Sequence, residues 1–434
     1  MRKSNYLVLS SFYFNFNDNL SKIIKIKKLF KNQNILDLFR FDNLKFEFDR
    51  FMFFDNIIFI YFPKNIEKIS KVDSYINQIE TLNLLYCINL KIIDEYAFEN
   101  NTIKELKLPV SIKKIEDYAF LGNQIEILDL SNCINLEIIG EHSFFYNQIK
   151  QLKLPVNIKE IRKYVFSKNQ IELLDLSNYI NLETIGTASF SENQIKQLKL
   201  PNNIETLSFA SFAYNKIQNL DLSNCIKLKN IGRRAFKENQ IKHLKLPKNI
   251  EILDYYAFCE NKIESLDLSN CINLNIISEY AFKSNQIKEL KLPQNIENID
   301  IGTFYKNQIE MLDLSNYTKL KVIGSLSFAK NQIKQLKLPK NIEIIGDWAF
   351  ENNQIESLDL SNYIKLKYIK YYAFSENPLT EIKILNNINI NYEPNVDWKY
   401  YGDVWNKFVK YYNDNGKKSG DYKYENDEWK WYLL

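Results

Sequence analysis

Proline returns at a fixed interval in this chain. Pro109, Pro155, Pro201, Pro247, Pro293 and Pro339 stand 46 residues apart. Asp129, Asp175, Asp221, Asp267, Asp313 and Asp359 keep the same step. A period of this length marks a repeat architecture, in which one unit cannot bury its apolar face alone and stacks on copies of itself. The unit divides into a phrase of 22, LKLPxNIxxIxxxAFxxNQIEx, and one of 24, LDLSNCINLxxIGxxAFxxNQIKx. The longer phrase carries two extra residues after its L-x-L core, so a single ancestral turn was doubled and the pair then multiplied.

The frame extends in both directions. Upstream, Leu82-Asn83-Leu84 and Ile60-Tyr61-Phe62-Pro63 keep the step, and Leu36-Asp37-Leu38 and Phe14-Asn15-Phe16 fit loosely. Downstream, Ile382-Lys383-Ile384 is the last recognisable copy, giving about seventeen turns with the first three degraded. Terminal repeats drift because they close an otherwise open core. The chain therefore divides into degenerate N-terminal repeats or a cap over residues 1–57, a repeat array over 58–384, and an aromatic C-terminal cap over 385–434.

In L-x-L the side chains alternate, so Leu174 and Leu176 point inward while Leu173 and Asp175 face out. One short strand per turn stacks into a parallel sheet. The Ile185–Phe190 stretch returns along the other side, with a tight helical turn at "SFSEN". The Asn column (Asn123, Asn147, Asn169, Asn193) is expected to satisfy backbone groups at the bend between turns.

The pattern L-x-x-L-x-L-P-x-x-I-x-x-I-x-x-x-A-F-x-x-N resembles the BspA-like class of leucine-rich repeats, with "IGTASF", "IGRRAF", "IGDWAF" and "ISEYAF" as close matches. The chain departs from that class by placing Asn169, Asn193, Asn239 and Asn285 where Cys is usual. The resemblance implies a β-rich, right-handed leucine-rich-repeat solenoid, with a parallel sheet on one face and short helical turns and loops on the other. It also implies cell-surface placement, adhesion and contact with host proteins.

Composition narrows the function classes. Hydrophobic residues make up 45% of 434, enough for a long core, and ten glycines with nine prolines leave little room for linkers. A net charge of +4 over this length gives no strong case for nucleic acid or an anionic membrane. No apolar run approaches the roughly 18 residues of a membrane helix. The N-terminal "MRKSNYLVLSSFYFNFNDNL" is a poor secretory leader, its apolar patch broken by Ser and Asn. Residues alone thus favour the cytoplasm.

Chemistry is not signalled. Cys87, Cys133, Cys225 and Cys271 share one slot of the longer phrase, where Tyr179, Tyr317 and Tyr363 stand in other copies. Equivalent slots lie two turns apart, roughly 9–10 Å, beyond the reach of a disulfide. Cys259 sits elsewhere, in "AFCEN". His142 and His243 occupy different parts of different turns with no metal-ligand spacing. No catalytic pair, phosphate loop, metal site or cofactor site is expected.

Two columns on the outward face of the strand matter for binding. Lys153, Asp175, Lys199, Asp221, Lys245, Asp267, Lys291 and Asp313 alternate in sign, as expected of a scaffold charge ladder between neighbouring strands. The slot before the first leucine varies instead: Gln151, Leu173, Gln197, Asn219, His243, Ser265, Glu289, Met311 and Gln335. It shares the exposed face and can change without disturbing the core, which makes it the candidate surface for a protein partner. The reading is a non-catalytic interaction scaffold for surface adhesion or host contact. The alternatives are an intracellular adaptor of a virus or parasite, and a spacer with no ligand. At the C-terminus, Trp398, Tyr401, Trp405, Phe408 and Tyr412 are spaced as one face of a helix, and "GDYKYENDEWKWYLL" as a hairpin. This segment is either a cap or an aromatic binding module.

Overall fold

The computed structural model of the chain describes residues 7–9, 59–62, 64–70, 79–386, 388–391 and 403–433. These fall into two compact units. One runs to Ile158 and includes Arg162–Ile171; the other comprises Lys159–Ile161 and Glu172 onward. Each is a parallel-sheet β-solenoid, as the repeat requires. Trp398 and Tyr401 lie outside the described residues, as does nearly all of the 1–57 segment.

Every complete turn carries two strands. In the first unit the L-x-L strands Phe59–Tyr61, Thr81–Asn83, Glu105–Lys107, Ile127–Asp129 and Gln151–Lys153 form one parallel sheet. The shorter strands Lys68–Ile69, Ile92–Ile93, Lys114–Ile115 and Ile138–Ile139 form a second. The neighbour of Phe59–Tyr61 is Leu7–Leu9. The repeat frame called there for Leu36-Asp37-Leu38, which lies outside the described residues.

In the second unit the same two strands recur from Leu173–Asp175 to Glu381–Ile384 and from Glu160–Ile161 to Asn389–Ile390. The core is a stack of equivalent side chains. Phe190, Phe212, Phe236, Phe258, Phe282 and Phe304 are fully buried, with neighbouring ring centroids 5.5–5.9 Å apart. Phe98, Phe120, Phe144 and Phe166 stack likewise in the first unit. Leucines and isoleucines of both strands fill the rest.

Strand pairing alternates in strength. Steps of 24 residues, from an Asp strand to the next Lys strand, pair three residues each, as in Leu173↔Gln197, Leu174↔Leu198 and Asp175↔Lys199. Steps of 22, from Lys to Asp, pair one residue, Gln197↔Asn219, or open altogether between His243–Lys245 and Ser265–Asp267. Side chains occupy the opened steps. The amide of Leu292 donates to the Tyr317 hydroxyl at 2.9 Å, and that of Leu338 to Tyr363 at 3.1 Å. In the cysteine copies the Cys225 thiol approaches the Pro201 carbonyl at 3.8 Å.

The tight turn at A-F is made by left-handed residues rather than by a right-handed run. Each turn places two residues at positive φ, such as Arg234 (58°) and Glu238 (52°). Their amides donate to the next turn, Arg234 to Tyr255 O and Glu238 to Cys259 O, both at 2.9 Å. None of the described non-glycine residues at positive φ is Val, Ile or Thr, because a branched Cβ collides with the backbone there. Gly302 takes the first of these slots (φ +59°), and a Cβ on it would collide with the Tyr280 ring.

The Asn column holds these turns. Asn261 Nδ2 donates to Phe236 O at 2.9 Å and Phe258 O at 3.1 Å, and its Oδ1 accepts from Ile241 N at 3.0 Å. The same bonds recur at Asn123, Asn215, Asn307, Asn353 and Asn377. The amide thus joins adjacent turns, as expected from the sequence.

After the last repeat strand comes helix α1 (Val404–Asp414), with Trp405, Phe408, Val409 and Tyr412 buried. Trp405 packs on Phe374 of the final phenylalanine stack at 4.9 Å. Asp403 caps the helix by accepting from Asn406 N at 2.9 Å and also accepts from Glu376 N at 2.6 Å. Gly416 at φ +78° ends it, with Lys417 N bonded back to Tyr412 O. The hairpin Gly420–Glu425 and Glu428–Tyr432 turns on Asn426 and Asp427, both left-handed. Its first strand pairs antiparallel with Glu381–Ile384.

Candidate functional site

The outward face of the L-x-L sheet is built one strand at a time. In Leu173–Asp175 the first and third residues are exposed and the second is buried, the alternation that pleating dictates. The variable slot therefore reaches solvent throughout: Gln151, Leu173, Gln197, Asn219, His243, Ser265, Glu289, Met311 and Gln335 are all exposed. Leu173 and Met311 are 64% and 67% exposed, high for side chains of their apolarity. Register places Leu173 opposite Gln197, Asn219 opposite His243, Ser265 opposite Glu289 and Met311 opposite Gln335. The Ser265 hydroxyl donates to Glu289 at 3.2 Å.

The charged column forms discrete pairs. Lys153 reaches Asp129 at 3.1 Å, Lys199 Asp175 at 3.0 Å, Lys245 Asp221 at 3.5 Å, Lys291 Asp267 at 3.3 Å and Lys337 Asp313 at 3.3 Å. Among the described residues no ion pair joins Lys199 to Asp221, Lys245 to Asp267 or Lys291 to Asp313. Each aspartate has a second task. Asp175 Oδ1 accepts from the Ser177 amide at 3.0 Å and from its hydroxyl, while Oδ2 takes the lysine. This side-chain cap closes the turn that leaves the strand. Residue i+2 is Ser in the longer phrase and Pro in the shorter, and Pro has no N–H to cap. Asp therefore accompanies Ser, and Lys accompanies Pro. The Ser177 and Ser223 hydroxyls, with the lysines beside them, hold Asp175 and Asp221 below the usual carboxylate range; Asp267 and Asp313 are held low by Ser269 and Ser315 in the same way.

A second charged column borders the variable one on its other side. Lys150 pairs with Glu126 at 3.0 Å, Lys196 with Glu172 at 2.8 Å and Lys334 with Glu310 at 3.6 Å. The varied column thus runs beside the Asp–Lys pairs and, at three steps, beside a second set of ion pairs; Lys242, whose counterpart is Gln218, has no ion pair among the described residues.

Sequence reasoning missed an aromatic column at the first left-handed slot. Tyr96, Tyr118, His142 and Tyr164 stack face to face at 4.8, 4.7 and 4.7 Å. Burial holds the His142 imidazole below its ordinary pKa, and its Nδ1 has no hydrogen-bond partner. Further along, Tyr256 stacks on Tyr280 at 5.1 Å, with the Arg234 guanidinium over Tyr256. The signal was an aromatic residue at one slot of four consecutive turns, obscured because the slot also admits Ala, Leu and Arg.

The cysteines are free and buried, with burial pushing Cys87, Cys133, Cys225 and Cys271 up to about 11 and Cys259 up to about 12. Such thiols are poor nucleophiles at neutral pH. Among the described residues no cluster of three His, Cys, Asp or Glu is placed to hold a metal, and no helix is long and apolar enough to cross a membrane.

The family model described as "BspA type Leucine rich repeat region" matches residues 74–182, 124–228, 159–274, 207–321 and 299–393. No curated protein matches the chain. Among solved structures, YopM from Yersinia enterocolitica WA-314 is similar at 19% identity and a TM-score of 0.45, with 76% of each chain covered. The functional domain of InlJ from Listeria monocytogenes is similar at 17% identity and a TM-score of 0.42, over 73% of this chain and 64% of that one. A leucine-rich repeat protein from Bacteroides ovatus ATCC 8483 shares 18% identity over 67% of this chain and 87% of its own, with a TM-score of 0.31.

Proposed function

The chain belongs to the BspA-type leucine-rich repeat family, and from that membership we propose that it is a non-catalytic scaffold binding another protein through its L-x-L sheet face. The observation that carries this reading is the variable column. Leu173 and Met311 are exposed between two rows of paired charge, and His243 is exposed beside the Lys245–Asp221 pair. The neighbouring columns are tied to ion pairs and turn caps; this one is free to change. Adhesion at a cell or host surface is the setting we propose. Residues 385–434 are read as a cap, because Trp405 and the hairpin cover the last turn's phenylalanine and strand edge.

The test is capture by the purified chain against a variant carrying Leu173→Ser, His243→Ser and Met311→Ser. The expected result is a protein retained by the wild type and released by the variant at unchanged Tm. Equal capture by both, or none by either, would sink the reading. Fractionation of the native host separates the settings, since a purely cytosolic protein is no adhesin.

A further inference from the structure

The edge that joins the two strands of each turn carries a row that the fold does not need. In the second unit Ile180, Ile226, Ile272 and Ile364 sit at the tips of the S-N-[C/Y]-I turns and are 62–83% exposed. At Ile180, Ile226 and Ile272 the amide closes onto the asparagine carbonyl two residues back, which lifts the side chain away from the core. These isoleucines are also held constant. The slot reads Ile88, Ile134, Ile180, Ile226, Ile272, Thr318 and Ile364 through seven copies. Slots of similar exposure in the same copies drift freely, as Ile127, Leu173, Asn219, Ser265, Met311 and Ser357 do. Duplication alone preserves both slots equally.

The tips of this edge carry lysine only, and the glutamates stand directly behind them, at Glu183, Glu205, Glu251, Glu297 and Glu343. Over the loops 177–182, 201–204, 223–228, 247–250, 269–274, 293–296, 315–320, 339–342 and 361–366 the only ionisable charges are Lys227, Lys248, Lys319, Lys340 and Lys365. Lys227 pairs with Glu205 outside the loop and Lys319 bonds to the Asn295 amide oxygen. Asparagines fill most of the remaining exposed positions. A net +4 over the whole chain hides this local run of lysine.

We propose that the loop edge of the second unit docks on an anionic lipid surface, its isoleucines entering the headgroup boundary and its lysines facing the acidic headgroups. Copies of the isoleucine slot lie two turns apart, roughly 9–10 Å. A protein acceptor would need sockets of the same period; a fluid interface needs none and tolerates Thr318 in the row. A second copy of this edge would bring lysine against lysine. Lysines at an acidic surface are attracted to its headgroups, and inserted aliphatic area adds to that.

Flotation of the full chain with vesicles tests this. One set is phosphatidylcholine alone and the other includes phosphatidylserine, each at low and high salt. The expected result is binding to the acidic vesicles at low salt, falling about tenfold in an Ile180→Ser, Ile226→Ser, Ile272→Ser, Ile364→Ser variant and in a Lys248→Gln, Lys340→Gln, Lys365→Gln variant. Circular dichroism melts should be unchanged, because every substituted side chain is exposed. Absence of wild-type binding at low salt overturns the proposal, as does equal binding by the isoleucine variant. Self-association that the isoleucine variant abolishes, without vesicle binding, assigns the row to a second copy and overturns it too.

Discussion

Asn261 and Ser211 occupy buried polar positions with opposite outcomes. Asn261 satisfies two carbonyls and one amide across two turns, so Asn261→Ala strands three buried backbone groups. The expected loss is about 3 kcal/mol or more, read from urea denaturation. The Ser211 hydroxyl stands in the alanine slot before Phe212, fully buried and without a partner. Ser211→Ala should therefore stabilise the chain by about 1 kcal/mol, seen as a higher Tm. The turn-capping aspartates set the acid response. Asp175, Asp221, Asp267 and Asp313 titrate below their ordinary values in the folded state. Their stabilisation is therefore complete above the unfolded pKa of about 4 and fades as pH falls through the lowered folded values. Changing all four to Asn, which keeps a capping oxygen, should flatten the acid-unfolding profile over that window.

At the scale of the strand, the sign alternation has a local cause. If charge alone mattered, exchanging Asp221 and Lys245 would be neutral, since the pair at 3.5 Å is restored in reverse. Asp221 also caps the Ser223 amide at 3.0 Å, and lysine has no acceptor to replace it. We expect the exchanged variant to remain about 1 kcal/mol less stable than wild type in chemical denaturation, because the ion pair is restored and only the cap is lost. Strand pairing is uneven in the same alternation: the Leu176 amide reaches the Lys199 carbonyl across an Asp-to-Lys step, whereas across a Lys-to-Asp step the Leu292 amide goes to the Tyr317 hydroxyl, and in a cysteine copy the Cys225 thiol lies against the Pro201 carbonyl.

At the scale of the molecule, each turn is stable only through its neighbours. Truncating a buried ring in mid-array, Phe258→Ala, removes a member stacked on both Phe236 and Phe282 and should cost roughly 3–5 kcal/mol. A truncation ending at residue 384 uncovers Phe374 and the edge of Glu381–Ile384. It should bind a hydrophobic dye and sediment as aggregates, where the full chain does not.

The period by itself determined the solenoid, its two phrases, the buried Leu, Ile and Phe columns and the bridging role of Asn. Those features recur identically in every turn, so each copy votes for the same environment. Sequence also placed the variable column on an exposed face, because pleating fixes which side of a strand a residue faces. Only the tertiary structure decided how columns touch. It broke the expected charge ladder into Asp-to-Lys pairs, since the aspartate's other oxygen is taken by a serine two residues on. It revealed the Tyr96–Tyr164 aromatic stack, because left-handed corners bring together side chains that a linear pattern lists as ordinary surface. It also separated the exposed isoleucines of the loop edge from the buried ones beside them, a distinction that depends on a turn closing over two residues and that hydrophobicity alone cannot make.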